Sequence, residues 1–120
     1  MLKLAEFKER TTETIVTPML AYMEECGEEC EFKKKDITKC EKLFLNYLTS
    51  LSRLKKPNDV KIMERVKKLV LALNKLNVRT EYSLIETCER EALWEIIQDA
   101  AIASGLKEEY DDVTEEWREW

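Results

Sequence analysis

Three observations predict an all-α chain, a compact four-helix bundle with a short C-terminal helical segment. Only two glycines and two prolines occur in 120 residues, too few to turn a chain of many short strands. Glutamate, lysine and leucine, all good helix formers, dominate the composition. Apolar residues recur every three to four positions over four long stretches, the spacing of a helix face. A chain of this length reads as one helical domain, residues 1–120, able to bury a core without metal or disulfide staples.

The first stripe comprises Leu4, Phe7, Ile15, Val16, Met19, Leu20 and Met23, with Pro18 inside it. A mid-helix proline lacks one backbone donor and its ring collides with the preceding turn. Either one long helix bends between Thr14 and Pro18, or a second helix starts with Thr17 as N-cap and Pro18 at its first position. The long bent helix is favoured, ending at Cys26-Gly27 with Gly27 in the left-handed cap. Residues Glu28 to Lys35 form a polar connection. Asp36 or Thr38 caps the next helix, and Thr38 with Glu41 has capping-box spacing. Its face is Cys40, Phe44, Tyr47, Leu48, Leu51 and Leu54; Lys55 and Lys56 suit the negative end of the dipole, and Pro57 stops it.

Asn58 or Asp59 caps a third helix with the face Val60, Met63, Val66, Leu69, Val70, Leu73 and Leu76, widened by Leu71 and Ala72. That width makes it the central helix, closed by Asn77. Residues Val78 to Leu84 form a connector. Thr87 caps a fourth helix, with Glu89 and Glu91 at its positive end and a face of Ala92, Leu93, Ile96, Ile97, Ala100 and Ala103. Trp94 falls beside that face and marks an edge or groove. Gly105 takes the left-handed cap, and Leu106 supplies the hydrophobic contact beyond it. Val113, Trp117 and Trp120 fall at i, i+4 and i+7, with Thr114 as N-cap of a last short helix.

Charge is sorted along the chain. Residues 1–31 carry eight acids and three bases, residues 32–80 four acids and fourteen bases, and residues 81–120 thirteen acids and three bases. The stretches are net −5, +10 and −10, which leaves the chain at −5. Such asymmetry concerns partners and association rather than fold. Either the basic middle packs against the acidic ends, or the two fields face something else.

No apolar run approaches the ~18 residues that span a bilayer, and the first residues meet charge too early for a signal-peptide core. The expected setting is soluble and cytoplasmic, with no membrane contact. Cys26, Cys30, Cys40 and Cys88 are expected as reduced thiols. Cys26 and Cys30 have Gly27 between them, whereas zinc knuckles pair ligands across tighter turns; no metal or cofactor is expected.

The chain has no histidine, which removes Ser-His-Asp and Cys-His catalysis. Two glycines do not make a phosphate-cradling loop. The segment Glu24-Glu25-Cys26-Gly27-Glu28 resembles the Glu-Glu-x-Gly-Glu segment of the all-helical nucleotide pyrophosphohydrolases of the MazG type. The resemblance covers five residues. It implies magnesium held by Glu25 and Glu28, since magnesium prefers clustered carboxylates and bridges substrate phosphates. The Glu-x-x-Asp pair that the family places on the next helix is missing; Glu108 and Asp111 have the spacing but lie far downstream.

Lys33-Lys34-Lys35, Lys55-Lys56 and Lys67-Lys68 offer phosphate contacts. The chain as a whole is acidic, the third helix is too apolar for a recognition helix, and arginine is sparse, so nucleic acid is a minor alternative. The C-terminal patch points furthest. Tyr110, Asp111, Asp112, Glu115, Glu116, Trp117, Glu119 and Trp120 set aromatic anchors in an acidic rim, the composition of a protein-binding hot spot. The expected function is a non-catalytic protein-binding module with a basic protein partner, an immunity, antitoxin-like or adaptor protein, or a self-associating homo-oligomer. A magnesium-dependent phosphohydrolase is the enzyme alternative.

Overall fold

In the computed structural model, which describes residues 2–86 and 90–120, the run from Leu4 to Cys26 is helical throughout. It comprises α1 (Leu4–Thr11), one π-helical turn (Thr12–Val16) and α2 (Thr17–Cys26). Pro18 accounts for the wide turn. It has no N–H to give and its ring needs room over the carbonyl four residues back, and widening the ladder just ahead of it provides both. The irregularity expected between Thr14 and Pro18 thus takes the form of a π-turn. Thr11, Thr12 and Thr14 each donate a hydroxyl hydrogen bond to the carbonyl four residues earlier, at 2.8, 3.2 and 2.7 Å. Ile15, Val16 and Met19 are buried, and Gly27 ends α2 with φ of +61°.

The polar connection hides a core residue. Phe32 is buried and stacks on Tyr22 with ring centroids 6.0 Å apart. Helix α3 (Lys34–Ser52) begins earlier than expected. Neither Asp36 nor Thr38 is its N-cap. Asp36 lies in the first turn and reaches back, accepting from the Lys33 N–H at 2.9 Å, while its other oxygen takes Arg79 at 3.2 Å. The buried stripe is Ile37, Cys40, Phe44, Tyr47, Leu48 and Leu51; Leu54 is half-buried. Lys55 and Lys56 fall in the loop after the helix, not in its last turn.

Asn58 caps α4 (Asp59–Arg79), accepting from the Lys61 N–H at 2.9 Å. Its stripe is Ile62, Val66, Leu69, Val70, Leu73 and Leu76. Val60 and Leu71 are exposed, contrary to expectation, because the buried repeat starts at Ile62 and runs through Val66, Leu69 and Leu73. Asn77 does not close the helix. It is buried inside the last turns, and its side-chain oxygen accepts from the Ile85 N–H at 3.2 Å. Glu81 and Tyr82, both at positive φ, reverse the chain into α5 (Ser83–Glu86). This short element carries Leu84 and Ile85 into the core, where a bare connector was expected.

The expected cap Thr87, and Cys88 and Glu89, lie outside the described residues. Helix α6 (Arg90–Ala103) buries Leu93, Ile96, Ile97, Ala100 and Ala101, with Ala92 and Ala103 at its edges. It ends as the sequence predicts. Gly105 has φ of +114°, its N–H donates to the Ile102 carbonyl at 3.0 Å, and the Leu106 N–H donates to Ala101 at 3.1 Å. Leu106 is buried beyond the cap, completing a Schellman motif.

The long helices pack around one contiguous core, α3 against α4 along their length, α1 and the π-turn on α3, and α6 over the group. This is the all-α bundle the sequence predicts. Polar links join the helices as well: besides Arg79 with Asp36, the Tyr47 hydroxyl donates to the Ile97 carbonyl at 2.7 Å, and Arg10 pairs with Asp99 at 2.8 Å. Burial pushes the Tyr47 phenol far above its usual range. Among the described residues, no helix is long and apolar enough to cross a membrane.

Candidate protein-binding site

After Leu106 the chain runs in turns over α4 and α6. The short C-terminal helical segment is one turn, closed by the Arg118 N–H on the Thr114 carbonyl at 2.9 Å. Asp112, rather than Thr114, opens it. One Asp112 oxygen accepts from the Thr114 N–H and hydroxyl, and the other takes Arg118 at 2.7 Å. Arg118 also donates to the Trp120 carbonyl at 2.9 Å and lies 5.2 Å from the Trp120 ring centroid.

Side chains from the helices satisfy the backbone of this segment. Asn74 donates to the Trp117 carbonyl at 2.8 Å and accepts from the Glu119 N–H at 3.1 Å. Gln98 accepts from the Val113 N–H at 3.0 Å and donates to the Tyr110 carbonyl at 3.3 Å. Asp59 accepts from the Lys107 and Glu108 N–H groups at 2.9 and 3.0 Å. A segment without its own ladder must find partners elsewhere, because unpaired backbone groups shielded from water are costly.

Docking sorts the expected site residues. Tyr110, Trp117 and Trp120 are half-buried and pack against the core. Asp112 is consumed by its own turn and by Arg118. Asp111, Glu115, Glu116 and Glu119 are exposed, and so are Glu108 and Glu109, which lie outside the patch expected from sequence. None of these six forms an ion pair among the described residues. Asp112, Glu115 and Glu116 rim a cleft of ≈440 Å³ with Met63, Tyr110, Val113 and Trp117. Glu108, Glu109 and Asp111 border a second, of ≈590 Å³, that reaches exposed Ile102. The Tyr110 phenol is held above its usual range, first by its hydrogen bond to Glu108 and then by burial and the charges of Glu108, Asp59 and Glu116.

The basic middle presents a different face. A groove of ≈450 Å³ lies between α3 and α4, with Leu43, Tyr47, Leu69 and Ala72 as its apolar lining, Asn46 and Ser50 beside them, and Arg65 and Lys68 as its cations. Exposed Lys39 and Lys42 on α3, Arg53 at its C-cap, and Lys61 and Lys75 on α4 occupy neighbouring register positions. Glu64, 3.9 Å from Arg65, is the acid adjacent to them. At 3.6 residues per turn, Arg65, Lys68 and Ala72 fall on one flank of the buried α4 stripe. Met63, Lys67 and Asn74, which carry the C-terminal segment, fall on the other.

Among the described residues, no ion pair joins the basic field to an acidic one. The ion pairs among the described residues are Lys3–Glu6, Arg10–Asp99, Arg65–Glu64, Arg79–Asp36 and Arg118–Asp112. Each lies within one stretch or joins the two acidic ends. Where the ends meet again, acid faces acid: a hydrogen bond to the Glu81 carboxyl, then that group's charge, hold Glu31 above its usual value. The basic middle touches the C-terminal segment through Asn74 and Asp59, which bond its backbone, through Lys67, 5.9 Å from the Trp117 ring centroid, and through Lys75, which lines a cleft with Glu119.

Glu25 lies in the last turn of α2 and Glu28 in the following 3₁₀ turn, both exposed. Among the described residues, no group of three or more histidine, cysteine or acidic side chains converges as a metal site. Cys26 and Cys30 are half-buried free thiols; burial and then the Cys30 sulfur raise the Cys26 thiol above its usual value, away from the thiolate a metal needs. No family model, curated protein or solved structure matches the chain, so its geometry and charge are what a functional reading rests on.

Proposed function

We propose that the chain is a non-catalytic protein-binding module whose acidic C-terminal face receives a basic protein partner, as an immunity, antitoxin-like or adaptor protein does. One observation carries the reading: exposed carboxylates with no ion pair among the described residues border clefts lined by aromatic and apolar side chains. A partner's lysines and arginines meet unpaired acids there, and its apolar side chains meet Met63, Tyr110 and Trp117. Long-range attraction speeds such an encounter and is screened by salt.

The test uses a lysine-rich amphipathic helical peptide as probe, followed by tryptophan fluorescence in stopped flow at low salt. Reversing Asp111, Glu115 and Glu116 to lysine slows association by ~10-fold or more, while circular dichroism stays that of the parent. Asp112 is kept, because its loss would break the turn. An unchanged association rate rejects the acidic face as the binding surface.

A further inference from the structure

We infer that the basic α3–α4 groove is the docking site for the acidic C-terminal segment of a second copy of this chain, so that copies associate head to tail. The inference rests on the reading of the acidic segment as a protein-binding face, and it names one partner for that face.

Complementarity argues for the second copy. The chain carries a +10 stretch and a −10 stretch, and no ion pair joins them among the described residues. The groove and the segment cannot meet within one molecule, because they occupy opposite flanks of α4. A neighbouring copy brings each field the opposite charge at equal concentration. The groove also has an apolar lining, Leu43, Tyr47, Leu69 and Ala72, which a phosphate backbone does not use. The segment supplies the matching element in half-exposed Tyr110, set between exposed Glu109 and Asp111. The two surfaces differ and lie on opposite flanks, so the contact is heterologous and propagates unless rotation closes a ring.

The experiment is sedimentation velocity on the full chain over a range of protein concentrations. It is run at about 20 mM and about 500 mM NaCl, where the screening length falls from ~20 Å to ~4 Å. At low salt the weight-average mass at least doubles with rising concentration, and at high salt it stays that of the monomer. Two variants are then used, one with Arg65→Glu and Lys68→Glu, the other with Asp111→Lys, Glu115→Lys and Glu116→Lys. Each alone sets like charge against like and remains monomeric at low salt. Mixed in equal amounts they associate, since each reversed surface again meets its opposite.

A wild-type chain that is monomeric at low salt at every concentration overturns the inference, without recourse to any variant. So does salt-insensitive association, or a mixture that stays monomeric. Titration of wild type with the lysine-rich peptide separates the two claims. Peptide binding without self-association leaves the acidic face standing and removes the second copy; loss of both removes the acidic face as well. Salt-dependent binding of duplex DNA that Arg65→Glu and Lys68→Glu abolish, with no self-association, would assign the groove to nucleic acid and overturn the proposal.

Discussion

The α3–α4 hairpin and the C-terminal segment solve the same backbone problem in opposite ways. Within the hairpin each helix satisfies its own amides and carbonyls, so its side chains are left for packing: Phe44, Leu48, Ile62, Val66 and Leu73 are fully buried. The segment has no ladder and borrows Asn74, Gln98 and Asp59 to hold its main chain. The hairpin is therefore the structural half, carrying its positive charge outside. The segment is a strap, and the carboxylates it does not need for its own turns are left facing solvent.

The sharpest way to break the comparison is to remove a large side chain from the hairpin. Phe44→Ala leaves a void that a close-packed bundle refills only in part, at a cost of about 3–5 kcal/mol. Because the strap rests on the hairpin, near-UV circular dichroism and far-UV circular dichroism should lose structure in one transition at lower denaturant. Two separated transitions would mean that the strap does not depend on the hairpin.

The converse experiment strikes the strap alone. Asn74→Ala deletes a donor and an acceptor, leaving the Trp117 carbonyl and the Glu119 N–H without their partner, at a cost of about 2 kcal/mol. Hydrogen exchange should accelerate at Glu119 and in the Val113–Arg118 turn while protection in α3 and the middle of α4 persists. Uniform acceleration throughout the chain would make Asn74 a core residue like the others.

The same contrast explains what the sequence made legible. Helical periodicity, Asn58 as a cap and Gly105 with Leu106 as a helix stop are signals carried by residues within one turn of each other, and the structure follows them. Phe32 reads as part of a charged linker because its partner, Tyr22, lies ten residues earlier, on α2. Val60 lies three residues before Met63, a spacing that predicts it in the core, whereas the buried repeat begins at Ile62. Asn74 and Asn77 interrupt an apolar helix, and neither has a local reason to be there. Each serves backbone that arrives later in the chain, Trp117 and Glu119 for one and Ile85 for the other. The aromatic and acidic residues of the candidate site were visible as composition. Which carboxylates remain free was not, because Asp112 is taken by Arg118 and by its own turn.

Salt gives a smaller effect with an informative sign. If the basic hairpin and the acidic ends were stapled together, screening would weaken the fold. Here each field chiefly repels itself, and screening relieves that repulsion. At protein concentrations low enough to keep the chain monomeric, sodium chloride should raise Tm by a few degrees. A fall in Tm would show that ion pairs between the fields hold the monomer together.

The smallest expected effect lies where the two acidic ends touch. Glu31 and Glu81 share a hydrogen bond only while one carboxyl keeps its proton, which is why Glu31 is held above its ordinary value of 4.5 in the folded chain. A folded-state pKa above the unfolded one contributes stability that is complete below the unfolded value and is lost as pH rises through the folded value. Above the raised value of Glu31 that proton is gone, and the contribution with it. Glu31→Gln keeps a donor there at every pH, so the variant should melt slightly higher than the parent at neutral pH. The gain should shrink on acidification and vanish once the parent's carboxyl is protonated in both states. Parallel Tm curves for parent and variant from about pH 3 to about pH 8 would mean that the two carboxyls do not sense each other, and that the acidic ends meet without cost.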